Sequence, residues 1–243
     1  FRCAFKDFWM TFWKWVAWTK LVPPNRCLPN FGSIPVMKGV EFGGHRGTPI
    51  MFGSRENHAI RIYETTWDAL EAGDVERLEE LTHLSSFPCG LDGWHGLHWL
   101  TTAIHTGNLT SVAWVLGRKP DVTYIEADGF TALKSALQME MDCRLPPDEA
   151  AAFTIRLIDM LLDAGADINQ RMTLDVTLLH VAAEGSSPAV VAHLLARGAD
   201  PHAVSHDYTP RTPAGQAAFR KRWDVHAILR AARENTPEPP AAV

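Results

Sequence analysis

Short apolar stripes at helical spacing, separated by glycine-marked breaks, dominate the chain from about residue 66 to residue 235. The clearest stretch begins at Thr177, whose hydroxyl suits it to accept from an orphan N–H at a helix start. It continues through Leu178, Leu179, His180, Val181, Ala182 and Ala183, so its inner face is small. After a break, Val190, Val191, Leu194 and Leu195 make one apolar stripe, and Arg197-Gly198 stops it. The pattern predicts two short helices in sequence, neither able to bury its apolar face alone.

The pattern recurs. Gly96 and Gly129, Leu100 and Leu133, and Ala103 and Ala136 are each 33 residues apart, as are Gly165-Ala166-Asp167 and Gly198-Ala199-Asp200. Gly73 and Gly107 are 34 apart. A fixed period enclosing two helices predicts an all-α solenoid, in which each helix pair is stabilised by its neighbours.

These residues resemble the ankyrin repeat family, whose signature reads roughly G-x-T-P-L-H-x-A-A followed by V-x-x-L-L-x-x-G-A-D. The resemblance spans about 66–235 and implies about five stacked helix-turn-helix units with short hairpin loops. The units fall at about 66–94, 95–127, 128–172, 173–206 and 207–235, the first and last serving as caps. The second unit has His98-Trp99-Leu100-Thr101 in place of Thr-Pro-Leu-His, and only His180 occupies the family's His position. The third carries an insertion of about thirteen residues. It reads as a loop over 139–145, a Pro146-Pro147-Asp148-Glu149 helix start and a long outer helix over 150–162.

Outside the repeats, residues 1–50 read as an irregular segment rich in Trp (Trp9, Trp13, Trp15, Trp18), and 51–65 as a linker. Met51 is the expected native start. The apolar run 8–16 is too short to span a bilayer, and no signal-peptide cleavage pattern follows it. A membrane-surface adaptor acting through these Trp residues is one alternative. Residues 236–243, with three prolines, read as a disordered tail.

Composition sharpens the functional reading. The 243 residues are 46% hydrophobic and 21% charged, which suits a folded chain. Residues 1–65 hold nine Lys/Arg against four Asp/Glu, and 66–243 hold fourteen against twenty-four. So acidic a body disfavours nucleic acid, whose affinity rests on neutralised phosphates. Arg220-Lys221-Arg222 reads as a solvated helix face, and Trp114 and Trp223 as packing residues. Four scattered cysteines (Cys3, Cys27, Cys89, Cys143) form no disulfide framework, so a reducing, cytoplasmic setting is expected.

Candidate chemistry is sparse. Cys89, His95, His98 and His105 could centre a metal-binding or hydrolytic enzyme, but their spacing matches no familiar zinc site. His98 instead falls at the capping slot of a first helix. His202 and His206 lie in a turn, and no nucleophile elbow, P-loop or dinucleotide glycine pattern is present. The expected function is therefore non-catalytic, with no cofactor and no metal: a monomeric module binding another protein. What the resemblance implies is binding at the concave face and hairpin tips, through Trp94, His95, Leu97, His105, Thr106, Phe130, Gln138, Met139, Val176, Glu184, Tyr208 and Arg211. Trp94, Phe130, Met139 and Tyr208 are expected at exposed tips. Trp94 and Phe130 could alternatively fold back under a neighbouring hairpin.

Overall fold

The computed structural model describes residues 54–236 apart from 85, 94, 128, 143–144 and 207–208. The expectations for the Trp-rich segment, the Met51 start and most of the C-terminal tail lie outside the described residues. Within the compact unit Ser54–Val243, the described residues form ten α-helices and no strands, with one 3₁₀ turn at Thr173–Asp175. The helices are α1 (Ser54–Ala72), α2 (Val75–Leu81), α3 (Trp99–Thr106), α4 (Leu109–Leu116) and α5 (Ala132–Asp142). The remainder are α6 (Pro147–Asp163), α7 (Leu178–Gly185), α8 (Pro188–Ala196), α9 (Pro213–Phe219) and α10 (Trp223–Asn235).

Local chemistry sets the boundaries. Asp74 caps α2 by accepting from the Arg77 N–H, and Asn108 caps α4 by accepting from Thr110 and Ser111. Proline stands in the first turn of α6, α8 and α9, where its missing N–H costs nothing. Gly107 ends α3 with φ at 71°, a backbone state glycine adopts without strain.

The helices pack in two rows. Within pairs, α1 lies on α2, α3 on α4, α5 on α6, α7 on α8 and α9 on α10. Between pairs, α1, α3, α5, α7 and α9 touch in succession, and α4, α6, α8 and α10 do likewise. Ala103, Ala136, Ala182 and Ala217 are fully buried in the first row. Small side chains there let neighbouring helices approach closely. Leu157, Ile158 and Leu161 of α6 and Leu194 of α8 are fully buried in the second row.

Polar bonds join successive pairs as well. Ser111 donates to the Leu70 carbonyl (2.5 Å) and the Asn108 amide to that of Glu71 (3.1 Å). Arg222 reaches back to the carbonyls of Ala182, Ala183 and Ser186. These carbonyls sit at the C-terminal end of α7, where a cation is favoured and orphan acceptors need a donor.

Four expectations require correction. Residues 54–65 are helix rather than linker, because no Gly or Pro interrupts 54–72 and Tyr63, Thr66, Trp67 and Leu70 form a buried stripe at i, i+3, i+4 and i+7. The insertion's loop is shorter than 139–145, since α5 continues to Asp142. Glu140 there accepts from the Ser187 N–H (2.9 Å), and Met141 lies against Gly185. Arg220-Lys221-Arg222 forms the turn between α9 and α10 rather than a helix face. Trp223 is 63% exposed and packs little, because it lies about 200° around α10 from buried Val225. Trp114 does pack, stacking on Phe87 with centroids 5.6 Å apart.

Candidate partner-binding surface

The segments leading into α3, α5, α7 and α9 each fold into a tight hairpin. In the first, Leu91 pairs with His98, and the Asp92 N–H donates to the Leu97 carbonyl (2.8 Å). The Asp92 carboxylate accepts from the N–H groups of His95 and Gly96, both at 2.8 Å, and so shapes the turn. In the second, Ile125 pairs with Thr131, and the Glu126 N–H donates to Phe130 (2.7 Å). The third closes through Met172 N–H to Val176 (2.9 Å), and the fourth through Ser205 N–H to Arg211 (2.9 Å).

Each hairpin is tied to the next. Glu126 accepts from the His98 N–H and the Thr101 hydroxyl, both at 2.9 Å. Gln170 donates to the Thr123 carbonyl (2.6 Å), and Arg171 to the carbonyls of Asp175 and Val204. The His206 N–H donates to Leu174 (2.8 Å), and its Nδ1 lies 2.6 Å from the Asp175 carboxylate. Asn169 bridges the third and fourth units, donating to Gly198 (3.0 Å) and accepting from the Asp200 N–H (2.8 Å).

His180 joins its own unit to the following hairpin. The Thr177 N–H donates to its Nδ1 (3.2 Å), and the Thr177 hydroxyl lies 2.8 Å from the same atom. The ring hydrogen therefore sits on Nε2, which donates to the Arg211 carbonyl at 2.9 Å. One neutral imidazole thus orders a helix start and its neighbour's hairpin together.

What the hairpins display is apolar. Leu91 (40% exposed), Ile125 (42%) and Val204 (39%) each stand one residue before the N–H that closes their hairpin, and Tyr124 and Leu174 (54%) are exposed beside them. Leu174 has φ at 63° and Asp175 at 54°. A non-glycine residue in that region costs on the order of 1–2 kcal/mol. The bonds from His206 and Arg171 hold the turn in place.

Sequence reasoning missed these exposed residues, of which Leu174 lies within its hairpin turn and the others at the hairpin bases, because it took the largest aromatic side chains as the displayed ones. Of those named, Leu97, His105 and Met139 are buried, which corrects the expectation that Met139 stands at an exposed tip. Met139 packs against the end of α3 beside Gly107. Trp94 and Tyr208 lie outside the described residues.

The other named residues vary in exposure. Glu184 is exposed, in an ion pair with Arg220. Thr106, Phe130, Gln138, Val176 and Arg211 are half-buried. Thr106 donates to the Ala103 carbonyl (2.7 Å), Phe130 lies under the Lys134 ammonium, and Arg211 covers the Phe219 ring (4.1 Å). The His95 ring packs edge-on against Tyr63 with centroids 4.5 Å apart, and its Nδ1 is 3.3 Å from Asp92.

Burial dominates the electrostatics around His95. His105 is pushed down to about 4, by complete burial first and by neighbouring His95 second. Burial also raises the Tyr63 hydroxyl, helped by the Asp92 carboxylate, and lowers His98. His98 caps α3 by accepting from the Leu100 N–H (3.3 Å), and the Cys89 thiol donates to the Arg118 carbonyl (3.4 Å). Among the described residues, no three His, Cys, Asp or Glu side chains are grouped to hold a metal ion, and no helix is long and apolar enough to cross a membrane.

No curated protein matches the chain. Residues 175–206 match the family model described as Ankyrin repeat. That span holds the Thr177–His180 pair, α7, α8 and the Gly198-Ala199-Asp200 turn. The chain thus carries an ankyrin repeat, and its resemblance to that family is supported over those residues.

Proposed function

We propose that the five helix pairs act as one array of ankyrin-like units, and that it binds a partner protein through its hairpin tips and adjoining concave face without catalysing a reaction. The observation that carries this reading is the row of exposed apolar side chains at matching hairpin positions, Leu91, Ile125 and Val204, with Tyr124 and Leu174 beside them. Exposed apolar groups on hydrogen-bonded supports are presented with little ordering entropy left to lose on association. Leu174 is the strongest anchor of the set, because its backbone strain has no evident use in packing.

Leu174→Asp and Ile125→Asp in the full chain test this. Affinity capture from cell extract with the parent chain and each variant should lose the same retained protein in both variants, while circular dichroism melts stay unchanged. Retention unaltered by either substitution refutes the reading. The enzyme alternative is disfavoured because Cys89 and His98 are engaged with backbone groups and His105 is buried. The membrane-adaptor alternative concerns residues outside those described.

A further inference from the structure

The charge of the repeat region is unevenly placed. Residues 66–210 hold eight Lys/Arg against twenty-one Asp/Glu, whereas 211–243 hold six against three. Within this basic end, the α9–α10 turn exposes two large aromatic side chains, Phe219 (59%) and Trp223 (63%). The Arg211 guanidinium lies over the Phe219 ring at 4.1 Å. Lys221 sits at the turn's tip with φ at 59° and is exposed. Arg220 is exposed in an ion pair with Glu184, while Arg222 is turned inward to carbonyls at the C-terminal end of α7.

We infer that the α9–α10 turn, with Phe219, Lys221 and Trp223 and the Arg211 guanidinium on the Phe219 ring, is a docking site for a short acidic peptide segment of a partner protein that carries apolar side chains. Cations next to exposed aromatic rings match carboxylates next to apolar groups. The acidic remainder decides the occupant's size. A membrane or a nucleic-acid duplex extends far beyond the screening distance of about 8 Å at physiological salt and would meet the acidic body. A short peptide can confine its carboxylates to the basic end. Arg211 also closes the fourth hairpin, so the site adjoins that hairpin, whereas Phe219, Lys221 and Trp223 lie outside it and would serve this contact even if the hairpins bound nothing.

Fluorescence anisotropy on the full chain tests it, with a dye-labelled peptide of Glu, Leu and Ser against a counterpart of Lys, Leu and Ser. The acidic peptide should bind saturably and more weakly as salt rises, and the basic one should not bind. Lys221→Glu and Trp223→Ser should each weaken binding at least about tenfold without moving the thermal midpoint, as both side chains are exposed. Equal affinity for the two peptides, or unchanged affinity in both variants, overturns the inference. So does displacement of the peptide by phosphatidylserine vesicles or a DNA duplex binding the same residues. Self-association in sedimentation, abolished by the same substitutions, would assign the turn to a second copy of the chain and overturn it too.

Discussion

His105 should make the fold acid-sensitive. Its ring is fully buried on α3, and its pKa falls from an ordinary 6.5 to about 4. Between those values the unfolded chain binds a proton that the folded chain refuses. The stabilisation is therefore complete above about pH 6.5 and is lost as pH falls toward 4. The full difference corresponds to about 3 kcal/mol, of which about 2 kcal/mol is already lost at pH 5. Against a total of about 5–15 kcal/mol for a typical domain, this is a large share. Urea denaturation of the parent chain and of His105→Gln, from pH 7.5 down to pH 4.5, isolates the effect. His105→Gln should be the less stable at neutral pH, because it disturbs a packed site, yet should lose less stability on acidification. His98, also lowered by burial, adds a dependence of the same sign in both proteins. Parallel pH profiles for the two would refute the assignment to His105.

Other perturbations separate packing from display. Leu161→Ala, at a fully buried position in α6, should cost about 2–5 kcal/mol in chemical denaturation, through lost burial and a residual cavity. Asn169→Ala removes both bonds to the Gly198–Asp200 turn and should cost about 1–3 kcal/mol, with faster amide exchange at Asp200. Leu174→Gly should leave the thermal midpoint unchanged or raise it slightly by relieving backbone strain, while weakening partner retention. A large loss of stability in that variant would mean that Leu174 is a packing residue.

The helix pairs were legible because their signals are local. Thr177, His180, the Ala182-Ala183 face and the Gly198 stop lie within one repeat, and the structure places α7 and α8 where those residues indicate. The start of α1 is less legible for an equally local reason: its buried stripe Tyr63, Thr66, Trp67 and Leu70 lies toward the C-terminal end of the helix and does not mark its beginning at Ser54.

Exposure was not legible in the same way, because it depends on what a neighbouring unit covers. Met139 looks like a tip residue until α5 packs against α3, and Trp223 looks like a core residue until its angle on α10 turns it away from α8. Apolar spacing, small residues and capping groups determine the helices and the faces they must bury, since these are properties of a few consecutive side chains. Only the tertiary packing decided which apolar groups stayed in water, among them Leu174, Phe219 and Trp223. A side chain's solvent contact is set by elements distant in sequence, so it emerges only when the units come together.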